Sequence, residues 1–276
     1  MKRTISDEVF QALRLRAVGD ESADDVLRRI LGLPQAAASA GGPRGSLVGV
    51  DGAKSGWLAV WATDTQLGFE VHADVGALRA AHANAAVIAV DVPIGLSDAG
   101  PRTADVLARK FVGGVRASSI FSSPVRGVLG ASSQAEASRL HRDIDTRGYG
   151  AQAFAILSKI REWDGCLAAD AGFAARVHEV HPEVCFAALA GGKGLVESKK
   201  TPEGAARRRA LLHAEFGDAA VSDLLARVPR RLAAPDDVLD ALAALWSARR
   251  IAVGQHESLP NPPEVDSTGR RRAIHY

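Results

Sequence analysis

The chain predicts an α/β fold built on a mixed sheet, and three features of its sequence carry that prediction. First, the apolar runs Leu47–Val50 and Gly56–Ala62 are joined by a sharp turn through Gly52, Ala53 and Gly56, and an alternating run, Leu67–His72, follows. Three strands joined by short turns form an antiparallel meander. Second, Asp74–Ala83 reads as a helix and leads into the wholly apolar run Ala85–Val90. A strand buried on both faces after a helical crossover lies parallel to its partner inside the sheet. Third, Pro235 introduces a strong final helix over Asp236–Ala252.

The composition suits a packed globular protein: 276 residues, 47% hydrophobic against 24% charged, with a formal net charge of +2. That charge is too small to argue for nucleic-acid binding by itself, so any such binding has to come from local clusters. No apolar run approaches the roughly 20 residues of a membrane span, and residues 1–7 carry no signal-peptide apolar core, so the expected location is cytoplasmic with no membrane partner. Cys166 and Cys185 lack the spacing of a disulfide framework or zinc knuckle.

Taken in order, residues 1–34 stand apart. Lys2–Ile5 is a short extended candidate, and Ser6 and Asp7 can cap a helix whose stripe is Val9, Phe10, Leu13 and Ala17. Gly19 closes that helix. A second carries Val26, Leu27, Ile30 and Leu31 until Gly32 and Pro34 stop it. Strand, helix, helix in fewer than about 40 residues needs a partner copy to bury a core, so a homodimer is expected. The stretch resembles the ribbon-helix-helix fold, and GDESADDVLRRIL resembles the oligomerisation segment of the SeqA replication-sequestration proteins. Its acids match its bases in number, which favours dimerisation over base reading; the alternative is a helical hairpin packed on its own main domain. Residues 35–46, rich in Ala, Gly and Ser, read as a flexible linker, leaving 47–276 as the main domain.

Within that domain, Arg102–Phe111 reads as a helix, followed by the Gly/Ser/Arg-rich loop GGVRASSIFSSPVRG. Ala151–Ala169 is helical, Arg176–His181 alternates as a strand running into Pro182 and Glu183, and helical stretches follow around 184–189, 202–216 and 219–228. The basic turn SKKT precedes the second of these.

The chemistry rests on carboxylates. Asp51 and Asp91 each end an apolar strand, where a charge beside a core needs hydrogen bonds, a cationic partner or a metal ion. Asp237 and Asp240, three apart, share a helix face with Ala244 and Ser247, and small residues on that stripe let the helix approach a sheet closely. Glu183 lies beyond the late strand as a further candidate. Clustered hard oxygen ligands suit Mg²⁺ or Mn²⁺, and two ions roughly 4 Å apart can bind a scissile phosphate, activate water and stabilise the leaving oxygen. Each acid also has a plainer role: Asp236 as a helix cap, Asp91 as a turn former, Asp51 as a turn acceptor or partner of Lys54. Asp240, in the second turn, gains little from capping. Around them, Arg116, Ser118, Ser119, Ser122, Ser123 and Arg126 can contact phosphate or sugar or form a polar loop. Lys199 and Lys200 can contact phosphate or form a solvated turn, and Arg270–Arg272 can favour a polyanion or keep the tail soluble. Glu179, His181 and Glu183 can share a face toward the acids. HExxH, Walker A and GxSxG patterns are absent.

The phrases VGVDGAKSGW, AVDVPIG, HEVHPEVCF, ESKKTPEG and DDVLDALAALWSA resemble the bacterial family called domain of unknown function 429, regarded as nucleases of RNase H-like fold. The resemblance spans essentially Leu47 to Tyr276. It implies a five-stranded mixed sheet, three antiparallel strands first, with helices on both faces. It also implies catalytic and metal-ligating acids on the first strand, after the fourth and on the last helix, which here are Asp51, Asp91 and Asp237 or Asp240. DVLDALA is similar to the final helix of Holliday-junction resolvases, whose second acid is Glu where this chain has the shorter Asp91. The expectation is a two-metal Mg/Mn nuclease acting on DNA or RNA. The competing expectations are phosphoryl transfer to a small molecule on an actin- or sugar-kinase-like variant, and a catalytically silent nucleic-acid-binding scaffold.

Overall fold

In the computed structural model, the structure describes residues 45–62 and 67–276, together with the single positions Val26 and Ile30. The chain divides into two units, Met1–Arg44 and Gly45–Tyr276. The ribbon-helix-helix, dimer and linker expectations for residues 1–34 and 35–46 lie almost wholly outside the described residues.

The second unit is a mixed α/β structure. Strands β1 (Leu47–Ala53), β2 (Gly56–Ala62) and β3 (Leu67–His72) form the antiparallel meander. Gly56 makes its tight turn possible: it sits at φ 125°, and a Cβ there would stand 2.1 Å from the His72 carbonyl oxygen. Helix α1 (Val75–Ala81), capped by the Asp74 side chain accepting from Ala77 N, crosses to β4 (Val87–Val90), which pairs parallel with β1. Helices α2 (Thr103–Val112), α3 (Gln134–Asp145), α4 (Ala151–Ala155), α5 (Leu157–Ala169) and α6 (Ala171–Arg176) precede β5 (Val177–Glu179), parallel to β4. The sheet order is β3-β2-β1-β4-β5. Helices α7 (Pro182–Leu189), α8 (Pro202–Phe216), α9 (Asp218–Arg227) and α10 (Pro235–Ala252) follow.

The two faces of the sheet carry separate cores. One packs Leu58, Val60 and Ala89 against α7, α8 and α10, and the other packs Trp57, Ala59 and Ile88 against α1 and α5. Helix α10 is buried without interruption from Val238 to Ala248, as a helix enclosed between sheet and helices must be. Gly49 lets it lie directly on β1, for a Cβ there would come within 2.2 Å of Ala241 O and Leu245 N.

Beyond the expected final helix the structure adds a two-stranded antiparallel ribbon, β6 (Ser258–Val265) and β7 (Arg271–His275). This corrects the reading of Arg270–Arg272 as a solubilising or polyanion-seeking tail. Arg270 is ion-paired with Asp164, Arg271 donates to Ala175 O at 2.9 Å, and Arg272 lies 2.8 Å from Glu264. The GGVRASSIFSSPVRG loop contains two 3-10 turns, Gly114–Ser119 and Arg126–Val128. Among the described residues, no helix is long and apolar enough to cross a membrane.

Candidate active site

Asp51 is the fifth residue of β1, and its carboxylate lies at the carboxyl end of the central strand beside the parallel neighbour β4. Asp91 immediately follows β4 and donates its backbone N–H to Val50 O at 3.0 Å, which locks the two strand ends together. Asp240 comes from the second turn of α10, carried onto the sheet by the close approach at Gly49. All three line one cavity of about 570 Å³, together with Glu183, Lys199, Lys200, Arg116 and Ser119. Acids separated by nearly 190 positions thus meet because two strand ends and a helix start converge at the carboxyl end of the central strands.

The electrostatics are those of crowded, desolvated negative charge. Asp51 is 8% exposed and Asp240 3%. Burial, then Asp240 and Asp91, holds the Asp51 carboxyl well above the usual range. Burial raises Asp91 too, with His181, Lys199 and Lys159 pulling the other way. Burial pushes Asp240 up to about 6 against the opposing pull of Lys199, whose Nζ donates to Asp240 Oδ2 at 2.5 Å. Lys199 itself is held above its ordinary value: burial opposes its charge, but Asp240 and Asp51 outweigh that.

Other sequence candidates divide by what already engages them. Glu183, at the start of α7, accepts from Arg208 Nη2 with both carboxylate oxygens, at 2.8 and 2.9 Å, so its charge is balanced within the protein. Asp237 accepts from Ala234 N at 2.8 Å at the start of α10; it acts on Asp51 by charge but does not line the cavity. Lys200 lies 2.7 Å from Asp236. Arg126 is ion-paired with Asp164 and Asp266, and Ser122 accepts from Arg109, so neither faces the cavity. Ser118 and Ser123 do line it, and Ser123 N donates to Asp105 at 2.7 Å. Glu179 turns to Arg102, 2.5 Å away, and to Ile94 N; burial pushes it up to about 7, with Arg102 opposing. His181 Nδ1 accepts from Glu183 N as the cap of α7.

Two residues that sequence reasoning did not single out matter here. Lys159 on α5 lies 4.9 Å from the Trp57 ring centroid and lines the cavity, and Arg208 neutralises Glu183. Lys159 could have been found from its helical spacing to Trp163 on a face that packs against Trp57; Arg208, within the run Arg207–Arg209, carries no such signal.

Of the cations lining the cavity, Lys199 and Lys159 act on these acids by charge, while Lys200 is engaged by Asp236; Glu183 is engaged by Arg208. Three hard oxygen donors converging in one cavity are a set that could hold a small divalent cation. The family model described as Protein of unknown function (DUF429) matches residues 49–265. No curated protein and no solved structure matches the chain. The matched stretch contains Asp51, Asp91, Glu183 and Asp240, and the chain belongs to this family of proteins of unknown function.

Proposed function

We propose that the Gly45–Tyr276 unit is a metal-dependent phosphodiesterase of RNase H-like fold acting on nucleic acid. The observation that carries the reading is the meeting of three carboxylates, from β1, the end of β4 and α10, in one cavity that also holds Lys199, Lys200 and Arg116. The sheet order, three antiparallel strands and then parallel ones, supports the fold assignment. Asp51, Asp91 and Asp240 would hold Mg²⁺ or Mn²⁺, one ion or two. Such an ion supplies Lewis-acid polarisation of a phosphate oxygen and a bound water of lowered pKa.

The chain's own groups do the rest. Arg116 and Lys200 give the cavity cationic donors for phosphate oxygens, and Ser119 adds a hydroxyl. Lys199, hydrogen-bonded to Asp240, restrains that carboxylate and offers an ammonium to a substrate phosphate. Glu183 is fixed by Arg208 and shapes the wall rather than serving as a free base. Asp237 secures the start of α10 and thereby positions Asp240 one turn on.

The test is Mn²⁺- or Mg²⁺-dependent cleavage of labelled structured DNA and RNA by the full chain and by Asp51→Asn. Loss of about 100-fold or more in rate is expected, the scale at which removing one transition-state-stabilising group acts. Equal cleavage by both proteins would falsify the assignment. A second reading, hydrolysis of a small phosphate ester, is favoured by the cavity, whose volume of about 570 Å³ is that of a small-molecule site. Turnover of a small aryl phosphate with no cleavage of nucleic acid would select it.

A further inference from the structure

We propose that Glu70, His72 and His82 form a second metal site, one that takes Zn²⁺, on the face of the sheet opposite Asp51. Glu70 and His72 are two apart on β3, so their side chains leave the same face. In the β2–β3 register they stand opposite Ala59 and Trp57, which belong to the core under α1. Asp51 stands opposite Leu58, in the core under α10. His82 follows α1 as its C-terminal cap and brings its ring to the same place, with the two imidazole centroids 5.4 Å apart and nearly perpendicular. None of the three residues lines the acidic cavity.

The geometry is that of ligands, not of a completed hydrogen-bond network. Glu70 Oε2 lies 3.3 Å from His72 Nε2 and 3.6 Å from His82 Nε2. One donor atom from each residue lies within 4.8 Å of the others. With Zn–N and Zn–O bonds near 2.0–2.1 Å, ligand pairs of a tetrahedral site are about 3.3–3.4 Å apart, close to both Glu70 separations. Yet both Nε2 atoms are buried and without a hydrogen-bond partner among the described residues. A buried polar atom left so is destabilising, and His82 is only 6% exposed. As placed, neither Nε2 makes a hydrogen bond to Glu70, whereas a cation between them satisfies two nitrogens and one carboxylate together. Two imidazoles and a carboxylate suit Zn²⁺ over Mg²⁺, which prefers oxygen. Glu70 is exposed, so the fourth position opens to water. The ion would fasten α1 to β3, the outer strand of the five-stranded sheet.

The experiment titrates Zn²⁺ into the full chain by calorimetry, with excess Mg²⁺ present to occupy the carboxylate cavity, and repeats it with Co²⁺ to read visible absorption bands. One Zn²⁺ equivalent is expected, with Co²⁺ bands typical of a nitrogen-ligated low-coordinate ion. His82→Gln and His72→Gln should each lose the equivalent. Glu70→Gln, at an exposed position that folding tolerates, should weaken it, so the proposal does not hang on a buried variant. His256→Gln tests the other histidine group, His178, His256 and His275, and should change nothing. No bound Zn²⁺, an equivalent that survives all three ligand substitutions, or one that disappears with His256→Gln or Asp51→Asn would overturn the proposal. None of these results depends on whether the chain cleaves a phosphodiester.

Discussion

Replacing Gly49 with alanine should do two things at once, because this glycine sets the distance between β1 and α10. The added Cβ would stand 2.2 Å from Ala241 O, 2.2 Å from Leu245 N and 2.7 Å from Leu245 Cα. All three are backbone atoms, so no side-chain rotation relieves the overlap. Ordinary contact begins near 3.5 Å, and α10 would have to withdraw by roughly 1 Å. Overpacking a well-filled core costs about 1–3 kcal/mol, and a backbone-on-backbone overlap belongs at the upper end. At about 2–4 °C per kcal/mol for a unit of this size, Tm should fall by roughly 6–12 °C. The same withdrawal carries Asp240 away from Asp51 and Asp91, so Mn²⁺ affinity should fall along with stability. Scanning calorimetry and a Mn²⁺ titration on the refolded variant read the two effects. A variant whose Tm lies within about 2 °C of the parent and which binds Mn²⁺ equally well would refute the close-approach argument.

Two further outcomes follow from the charges in the cavity. Lys199→Met removes a charge-assisted hydrogen bond that a cation at Asp240 has to displace. Mn²⁺ should then bind about tenfold more tightly while phosphodiester cleavage slows, a split visible by comparing calorimetry with turnover. Weaker Mn²⁺ binding would show that Lys199 assembles the site rather than competing for it. The pH dependence has a definite sign. Carboxyls raised in the folded state take up protons more readily than in the unfolded chain. The stability they give the metal-free protein is therefore full below the unfolded value, near 3.9, and lost as pH rises through about 6 for Asp240. Mn²⁺ needs the ionised forms, so it should raise Tm strongly at about pH 8 and little at about pH 5. Equal shifts at both would count against these acids as its ligands.

How far the sequence revealed this structure depends on how locally each feature is encoded. The continuous apolar runs Leu47–Val50 and Val87–Val90 are legible because burial on both faces leaves no room for polar alternation, and Asp51 and Asp91 mark where each run gives way to the cavity. The meander and the parallel β4 follow from run lengths and spacing. Asp237 and Asp240 were harder to tell apart, since an acid three residues after a helix cap and an acid one turn further share a face. The contact with Ala234 N on one and the cavity lining of the other separate them. The β6–β7 ribbon escaped because Pro260, Pro262 and Pro263 argue against a strand; a two-stranded ribbon with a register shift between Leu259 and Glu264 tolerates them. The pairing of Arg208 with Glu183 joins separate helices and has no periodic signature. For the same reason the Glu70–His72–His82 group is invisible as a motif: it needs a strand face and a helix end brought together by the fold.

Calorimetric titration of Mn²⁺ into the parent chain and into Asp51→Asn and Asp240→Asn, with folding of each checked by circular dichroism, tests the shared cation site most directly. The account predicts that the parent binds Mn²⁺ and that either substitution, on β1 or on α10, abolishes or greatly weakens the same binding event. Folded variants that both bind Mn²⁺ as the parent does would contradict it.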